Sequence, residues 1–403
     1  MNAILRNRAL WGLSFGHFAV DLYNNILPVT YPLLMGVLEL NYTRIGLIAT
    51  CSVLVSSTTL PILGYASDRF GSRFLGTFGV AWIALCMGLV GLVPSYGALL
   101  LLFSFATLGS AAYHSQGMAN ASRVSGPHKA GSMSIFSTGG NLGYALSPIM
   151  AATAFRLFGL KGSLALAPLG LLAASILYQV MGQVEQKTAD RVDCPEREAI
   201  RPEQKAENQP LKIFRALKGQ EQVYSSLIAL LVLVMLRSWT HQALTNYIPL
   251  LYKELGTMAE VGSAVLSALL LGTTLGTAVG GFLSDRFGLW RVIFFTLLAE
   301  GPLIFAFLHL TYPLTLLIGP VMGFLWGCAQ APLIVAGQAL FPRHLGTISG
   351  LILGVSFATA GLGVYFTGRV ADFYSLQVSL NLLAGLPLAG ALLCLAFYTH
   401  FKN

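Results

Sequence analysis

The residues from Gly64 to Arg73 read GYASDRFGSR, and those from Gly281 to Arg291 read GFLSDRFGLWR. The pentapeptide Ser-Asp-Arg-Phe-Gly is identical in both, and each copy directly follows an apolar stretch long enough to cross a membrane. The repeat predicts a chain of two related halves, each of which presents one such loop on the same side of a membrane.

The composition indicates a membrane protein. Of 403 residues, 55% are hydrophobic and only 10% are charged, whereas soluble domains carry about a quarter charged residues. The net charge of +8 is spread over short gaps between apolar runs, so no nucleic-acid partner is predicted. The sequence has no Walker motif, no strand-flanked dinucleotide motif and no loop-borne Ser/His/Asp set, which predicts that the protein is not an enzyme and has no cofactor. Its five separated cysteines predict no metal site.

Twelve apolar stretches have about the length that a bilayer requires. They form two sets of six, separated by residues 182–222, which are rich in Glu, Gln, Lys, Arg and Pro. We therefore predict an all-α membrane protein of about twelve transmembrane helices in two pseudo-symmetric six-helix bundles, residues 1–181 and 223–403, joined by a cytoplasmic linker. The predicted spans are 9–36, 45–66, 74–94, 97–118, 131–154, 163–181, 223–250, 262–283, 292–310, 314–338, 348–368 and 378–398.

The basic residues predict the orientation. If both termini are cytoplasmic, 18 of the 24 Lys and Arg residues lie inside and 5 outside, while Arg237 lies within a span. Basic loops favour the cytoplasmic side. We predict a multi-pass protein of a bacterial inner membrane with both termini in the cytoplasm.

The two loops have the pattern Gly-x-x-x-Asp-Arg-x-Gly, which resembles the signature of the major facilitator superfamily. Within it, the chain resembles the fosmidomycin-resistance group of drug efflux proteins. The stretches that carry this likeness are His17 to Asp21 with Leu27-Pro28, Gly109 to His114, Ile135 to Gly143, Gln338 to Pro342 and Ser356 to Gly363. The chain departs from the group at His114-Ser115-Gln116, where the group has His-Pro-Glu, and at Ser147-Pro148 in place of a Gly-Pro pair.

The resemblance implies gates and a packing hinge. Asp68 and Asp285 could pair with arginines and lock one face until that face opens; a turn that only fixes topology is the alternative. The predicted gating residues are Gly64, Asp68, Arg69, Gly71, Arg73, Gly281, Asp285, Arg286, Gly288 and Arg291. The predicted helix-packing hinge consists of Gly139, Gly140, Gly143 and Pro148, and such glycines are expected where the halves meet.

Asp21 is the first candidate for function. It lies roughly 20 Å from Arg8 along span one, near the middle of the bilayer. A carboxylate at that depth is costly and functional by default, and the loss of water favours its neutral form, so that it could bind and release protons. His17 lies one turn away on the same face. We predict that the pair couples transport to protons; a structural pair, with each other or with Arg237, is the alternative.

Other polar residues are predicted to line a central cavity, because the resemblance implies that spans one, four, seven and ten surround it. Arg237 suits a bidentate oxyanion, although it could instead only neutralise Asp21. Trp326 and Gln330 share a helix face, for which ordinary packing is the alternative. The predicted cavity residues are His114, Gln116, Arg237, His241, Trp326 and Gln330. Glu300, in span nine, is expected to be protonated or hydrogen-bonded between helices.

These features predict a proton-coupled secondary transporter that works by alternating access. The fosmidomycin likeness implies efflux of a small anionic drug or metabolite, and hence antibiotic resistance. The alternatives are an importer or facilitator of an anionic metabolite and an exporter of a siderophore-like compound. A non-transporting sensor is disfavoured, because it has no need of charge in mid-membrane. The predicted partners are the lipid bilayer, a small-molecule substrate and protons, with the monomer as the functional unit.

Overall fold

The computed structural model describes residues 7–70, 72–124, 129–192, 221–341 and 345–396, and the regular structure in these ranges is helical. Two short 3₁₀ turns, Val90–Leu92 and Gly159–Lys161, accompany the α-helices. The α-helices are α1 (Arg8–Asn24), α2 (Leu27–Leu34), α3 (Tyr42–Phe70), α4 (Ser72–Gly88), α5 (Tyr96–Val124), α6 (Lys129–Phe158), α7 (Gly162–Val192), α8 (Glu221–Glu254), α9 (Ala259–Phe287), α10 (Leu289–His309), α11 (Thr315–Cys328), α12 (Gln330–Leu340), α13 (Leu345–Phe373), α14 (Leu376–Leu383) and α15 (Gly385–Ala396).

Each predicted span coincides with one of these helices or with a consecutive pair. In the described part of the chain, nine helical stretches are long and apolar enough to cross a membrane. One of them, Ile135–Gly182, has 48 residues and covers predicted spans five and six. The first two predicted spans, α1–α2 and α3, lie outside these nine stretches. The all-α membrane class is thus confirmed, and the count of twelve spans stays a prediction.

Three of the predicted spans contain a break next to a proline. In span one, α1 ends at Asn24 and α2 begins at Leu27, directly before Pro28. In span ten, α11 ends at Cys328 and α12 begins at Gln330, two residues before Pro332. In span twelve, α14 ends at Leu383 and α15 begins at Gly385, two residues before Pro387. Proline has no N–H to donate into the preceding turn, so a helix restarts at such a residue more easily than it continues through it.

The predicted linker is partly helical. Helix α7 continues to Val192 and α8 begins at Glu221, so both ends of the 182–222 segment extend the neighbouring spans. Residues 193–220 of the linker lie outside the described residues, as do both chain termini.

Glycines allow α6 to pack closely on α1. A Cβ atom on Gly139 would collide with Ser14, and one on Gly143 would collide with the carbonyl group of Phe18. Small residues permit this approach of two backbones in a membrane. On this side the glycines join two helices of the N-terminal half. The same helix, α6, also meets the C-terminal half at Asn141, whose carbonyl group accepts a hydrogen bond from Thr274 of α9 at 3.4 Å, so the expectation that these glycines lie where the halves meet stays a prediction. Helix α6 also runs through Pro148 without interruption.

Polar contacts join the two halves at the end of the bundle that the sequence places outside the cell. The backbone N–H groups of Tyr42 and Thr43, at the start of α3, donate to the carboxylate of Asp372 at 3.0 and 2.8 Å. The hydroxyl group of Tyr42 donates to Glu254 at the end of α8. Burial, together with Glu254, raises the pKa of Tyr42, so the hydroxyl keeps its proton for this bond. Tyr42, Thr43, Glu254 and Asp372 are called the outer gate below.

The contact between α3 and α13 continues inward from the outer gate and then ends. The hydroxyl group of Thr50 donates to the carbonyl group of Gly361 at 2.8 Å. Two turns further along α13, a Cβ atom on Gly354 would meet nothing within 4 Å. Asp285 and Arg286, at the opposite end of the bundle, are exposed. Among the described residues, the two halves are therefore held together by polar contacts at the predicted outer end.

Candidate functional site

Asp21 lies between two imidazole groups in the interior of the N-terminal half. Its Oδ2 atom is 3.2 Å from Nε2 of His17, and its Oδ1 atom is 3.2 Å from Nε2 of His114. His17 precedes Asp21 by one turn of α1, and His114 reaches it from α5. The side chain of His114 is 26% exposed, against 12% for His17 and 16% for Asp21. A polar cluster that faced lipid would be costly, so this opening faces the space between the halves.

Two asparagines and a tyrosine extend the cluster. The amide group of Asn24 donates to Oδ1 of Asp21 at 3.0 Å and to the hydroxyl of Ser110 at 2.9 Å. Asn25 donates to the carbonyl group of Tyr144 at 3.0 Å. Tyr144 interacts electrostatically with Asp21 and hydrogen-bonds the side chain of Gln242 in α8. The cluster is thereby connected to the C-terminal half, a connection that the sequence analysis missed.

His17 is fixed by its surroundings. Its Nδ1 atom is 2.8 Å from the carbonyl oxygen of Phe136 in α6, and its ring stacks on the Phe136 ring with centroids 4.2 Å apart. The His114 ring meets it edge-on at 5.0 Å. Contacts on three sides leave His17 one orientation, in which Nε2 points at Asp21.

The same three groups could hold a metal ion, since His17, Asp21 and His114 each offer one ligand atom and these atoms lie within 4.8 Å of one another. Hydrogen-bonding groups already face both carboxylate oxygens, so hydrogen bonds explain the positions of the three side chains without a metal ion. The predicted absence of a metal site stays a prediction.

Gly140 forms the wall beside this cluster. A Cβ atom at this position would lie 2.5 Å from Nε2 of His17 and 2.6 Å from Oδ2 of Asp21. The predicted packing residue Gly140 therefore bears directly on the predicted coupling pair, because only a residue without a side chain lets α6 approach both groups.

We expect Gly140→Ala to destabilise the protein by about 1–3 kcal/mol, the usual cost of overpacking, and to displace His17 or Asp21. Thermal unfolding of the purified protein in detergent measures the loss. Gly354→Ala is the matched control: it also lies within a helix, but its Cβ would meet nothing within 4 Å. Equal stability of the two variants would contradict the close approach at Gly140.

A second cluster lies in the C-terminal half. Arg237 of α8, only 5% exposed, donates through Nη2 to the carbonyl group of Trp326 in α11. Its guanidinium lies 4.1 Å from the centroid of the Trp326 ring, and the His241 ring stacks on Trp326 at 3.4 Å. Gln330 accepts a hydrogen bond from Thr277 at 3.3 Å. The structure thus brings together three of the predicted cavity residues, Arg237, His241 and Trp326.

This second cluster contains buried polar atoms without partners. Nε of Arg237 and Nε2 of His241 have no hydrogen-bonding partner and are shielded from solvent. An unpaired buried polar atom costs about 1–3 kcal/mol, and one of the two belongs to the guanidinium cation itself.

The two clusters are separate. Within the described residues, the groups whose charges act on Asp21 are His17 and His114, whereas Glu300 of α10 is the acidic group whose charge acts on Arg237. The alternative of an Asp21–Arg237 pair is not the arrangement observed. Glu300 is 3% exposed, and its connection with Arg237 was not predicted, because span nine was expected to be peripheral.

Gln116 lies away from the other predicted cavity residues. It is 2% exposed, and its side chain is the nearest neighbour of a Cβ placed on Gly76 of α4, at 3.4 Å. Because it is two residues beyond His114, it points to the opposite side of α5. The structure therefore places Gln116 inside the N-terminal half and not beside His114.

The predicted gating loops are described only in part. Gly71 lies outside the described residues. For Gly64, Asp68 and Arg69 only the helical backbone of α3 is described. Arg73 donates to the carbonyl group of Tyr178 at 2.9 Å and covers the Tyr178 ring, all within the N-terminal half. In the second loop, the three charged residues are exposed: Asp285, Arg286 and Arg291. A Cβ atom on Gly281 would meet nothing within 4 Å. Gly288, at the end of α9, has a φ of 90°. The gating role stays a prediction.

The fold is that of a membrane transporter. The chain belongs to the Major Facilitator Superfamily, whose family model matches residues 13–364. It is a multi-pass membrane protein that transports a small substrate, and the family and its structural neighbours are transporters, not enzymes.

Two relatives cover nearly the whole chain. The chain is 28% identical over 389 residues to the "Fosmidomycin resistance protein" of Escherichia coli (strain K12), which covers 95% of this chain and 91% of that protein. It is also 28% identical over 391 residues to the "Uncharacterized MFS-type transporter YfnC" of Bacillus subtilis (strain 168), covering 93% and 89%. The resemblance to the fosmidomycin-resistance group is thereby confirmed.

Solved structures share the fold. A bacterial homologue of the human lysosomal transporter Spinster, in an inward-facing and occupied conformation, has a TM-score of 0.75 at 16% identity and covers 97% of this chain and 96% of its own. A mutant of the nucleoside transporter NupG has a TM-score of 0.74 at 15% identity, covering 97% and 100%. At these identities the likeness concerns the fold alone.

Proposed function

We propose that this transporter is a proton-coupled efflux antiporter for a small anionic solute of the fosmidomycin kind, working by alternating access. The observation that carries the proposal is the carboxylate of Asp21 between the imidazoles of His17 and His114, at hydrogen-bonding distance from both. An intramembrane carboxylate between two titratable groups has the chemistry of a proton-exchange site.

The anionic class of the solute rests on the cluster around Arg237. A guanidinium presents a planar fork of donors that matches carboxylate and phosphonate oxygens, and Nε of Arg237 has no partner. Trp326 adds an apolar surface beside it. The name of the Escherichia coli relative supports the same class of solute and the export direction.

Coupling follows from having both sites in one cavity that opens to one side at a time. A protonated Asp21 cluster and a bound anion would favour different conformations, and each ligand shifts the equilibrium only by its differential affinity. Inward movement of a proton then drives the anion outward. We further infer that the protein acts as a monomer in the bacterial inner membrane with both termini in the cytoplasm.

Purified protein in liposomes tests this function. With fosmidomycin inside right-side-out vesicles, an outside-acid pH gradient should accelerate its export, and collapse of the gradient with a protonophore should abolish the acceleration. An export rate that does not depend on the pH gradient would overturn the coupling. Uptake of the solute driven by an inward proton gradient would instead support an importer. Replacing the phosphonate with a neutral solute of similar size tests the anionic class.

Alternating access requires that the outer gate open. Asp372→Asn removes the carboxylate that accepts from Tyr42 and Thr43 across the two halves, so we expect the population of outward-open molecules to rise by about three- to tenfold, the effect of roughly 1 kcal/mol. A cysteine at Thr50, in a variant without other cysteines, should then react faster with a membrane-impermeant maleimide added outside.

Arg369→Gln is the control for this experiment. Arg369 is exposed on the same helix and lies over Phe373, one turn away in that helix, so its loss should leave the labelling rate unchanged. An unchanged rate in Asp372→Asn as well would mean that Asp372 does not hold the outer end closed.

A further inference from the structure

We infer that the Asp21 cluster holds one exchangeable proton, located between Nε2 of His17 and Oδ2 of Asp21, and that His114 serves as a neutral hydrogen-bond donor. The inference rests on the proposed function in calling this proton the coupled one, but the site of the proton follows from geometry alone.

The carbonyl oxygen of Phe136 determines which ring nitrogen of His17 carries a hydrogen. This atom can only accept a hydrogen bond, and it lies 2.8 Å from Nδ1 of His17, so Nδ1 carries a hydrogen. A neutral imidazole has a single N–H. In neutral His17, Nε2 would therefore present a lone pair to Oδ2 of Asp21 at 3.2 Å.

Two acceptors at that distance repel unless a proton lies between them. Either His17 is an imidazolium facing a carboxylate, or Asp21 is a carboxylic acid that donates to Nε2; in both descriptions the contact holds one proton more than neutral His17 and ionised Asp21. When that proton leaves, the contact becomes repulsive and the two side chains must separate. Proton release is thereby tied to a rearrangement of these two side chains.

His114 differs because, among the described residues, no hydrogen-bond acceptor fixes its other ring nitrogen. Neutral His114 can carry its hydrogen on Nε2 and donate to Oδ1 of Asp21 at 3.2 Å without an added proton. Its larger exposure, 26%, gives it contact with the space between the halves. It stabilises the charge of Asp21 there and lies on the path of a proton from that space.

Other groups near the contact do not supply or take up this proton. Tyr113 of α5 and Tyr144 of α6 interact with the charge of Asp21, but the hydroxyl group of Tyr113 donates to the carbonyl group of Leu13, and phenols ionise far above neutral pH. In the described residues, no charged side chain of α4 or α7 acts on Asp21. The cluster thus has a single site for exchange.

The test compares two glutamine variants. Gln presents an amide near the position of Nε2 that can donate without an added proton. His17→Gln should therefore satisfy Asp21 permanently and remove the exchange, whereas His114→Gln should only replace one neutral donor with another. Substrate-free protein in detergent is shifted from acid to alkaline pH in weak buffer with an indicator dye, and the released protons are counted per molecule.

We expect wild-type protein and His114→Gln each to release one proton more than Asp21→Asn, and His17→Gln to release the same number as Asp21→Asn. In liposomes, the gradient-driven accumulation ratio should fall to about 1 in His17→Gln, the value without coupling. His114→Gln removes a residue of the cluster and should transport more slowly, but its accumulation ratio should stay above 1. His17→Asn, which keeps a donor toward Phe136 and has no group at Nε2, repeats the test if His17→Gln does not fold.

Equal losses in His17→Gln and His114→Gln, or two extra protons in the wild type, would overturn the inference. The proton count needs neither solute nor gradient, so it separates this inference from the proposed function. A correct count with no gradient-driven transport would reject the antiporter and keep the proton site, whereas gradient-driven transport that survives in a folded His17→Gln would reject the site and keep the antiporter.

Discussion

Asp21→Asn should abolish the accumulation of solute driven by a pH gradient while leaving passive exchange of the solute nearly intact. Asparagine keeps the shape of the side chain and its contacts with His17, His114 and Asn24, but its amide cannot exchange a proton. The accumulation ratio in liposomes should therefore fall to about 1. Exchange of labelled for unlabelled solute without a gradient needs only the cavity and its motion, so its rate should change by less than about threefold.

Asp285→Asn serves as the control, because Asp285 is an exposed acid in the predicted gating loop. If that loop controls conformational change, the loss of the Asp285 charge should slow exchange and accumulation of the solute by the same factor. Asp21→Asn should affect accumulation alone. A folded Asp21→Asn protein that still concentrates solute when a pH gradient is imposed would exclude Asp21 as the proton-exchanging group.

The fold could be predicted because its signals are local and repeated. The two Ser-Asp-Arg-Phe-Gly loops indicated the halves, and the apolar stretches indicated helices that the structure contains at each expected place. The breaks before Pro28 and near Pro332 were not predicted, although proline gave a signal for both. The outer gate could not be predicted, since Tyr42, Glu254 and Asp372 belong to three helices and only the packed bundle brings them together.

The candidate site was also predicted only in part. The contact of His17 with Asp21 follows from their spacing of one helical turn, and His114 was found through the family resemblance. The carbonyl group of Phe136 could not be found, because a backbone atom has no signature in sequence. The acid that acts on Arg237 was also missed. Asp21 was considered because it was expected in the same cavity, whereas Asp21 contacts His17 and His114 and Glu300 is the acid whose charge acts on Arg237.

Arg237→Gln is expected to have the largest effect on stability and to end transport of anionic solutes. The change removes the cation that acts on Glu300, an acid only 3% exposed. Breaking a buried ion pair in contact typically costs about 3–5 kcal/mol. Arg237 and Glu300 interact through their charges without a direct ion pair, so a loss at the lower end, about 3 kcal/mol, is expected. The loss should be larger at high pH, where Glu300 has to remain ionised, and smaller at low pH, where a proton can neutralise it. Thermal unfolding in detergent at several pH values measures both trends.

Two double variants identify the partner. Arg237→Gln with Glu300→Gln removes both charges and should recover most of the lost stability, whereas Arg237→Gln with Asp21→Asn should recover none, because Asp21 is held by His17 and His114. Neither double variant should transport the anion, since the guanidinium is absent from both. Arg237→Lys keeps the charge but not the planar fork over Trp326, so it should fold normally and bind the anion at least about tenfold more weakly, a difference of ~1.4 kcal/mol. Recovery of stability with the Asp21 double variant and not with the Glu300 double variant would show instead that the two clusters form one ion pair across the cavity.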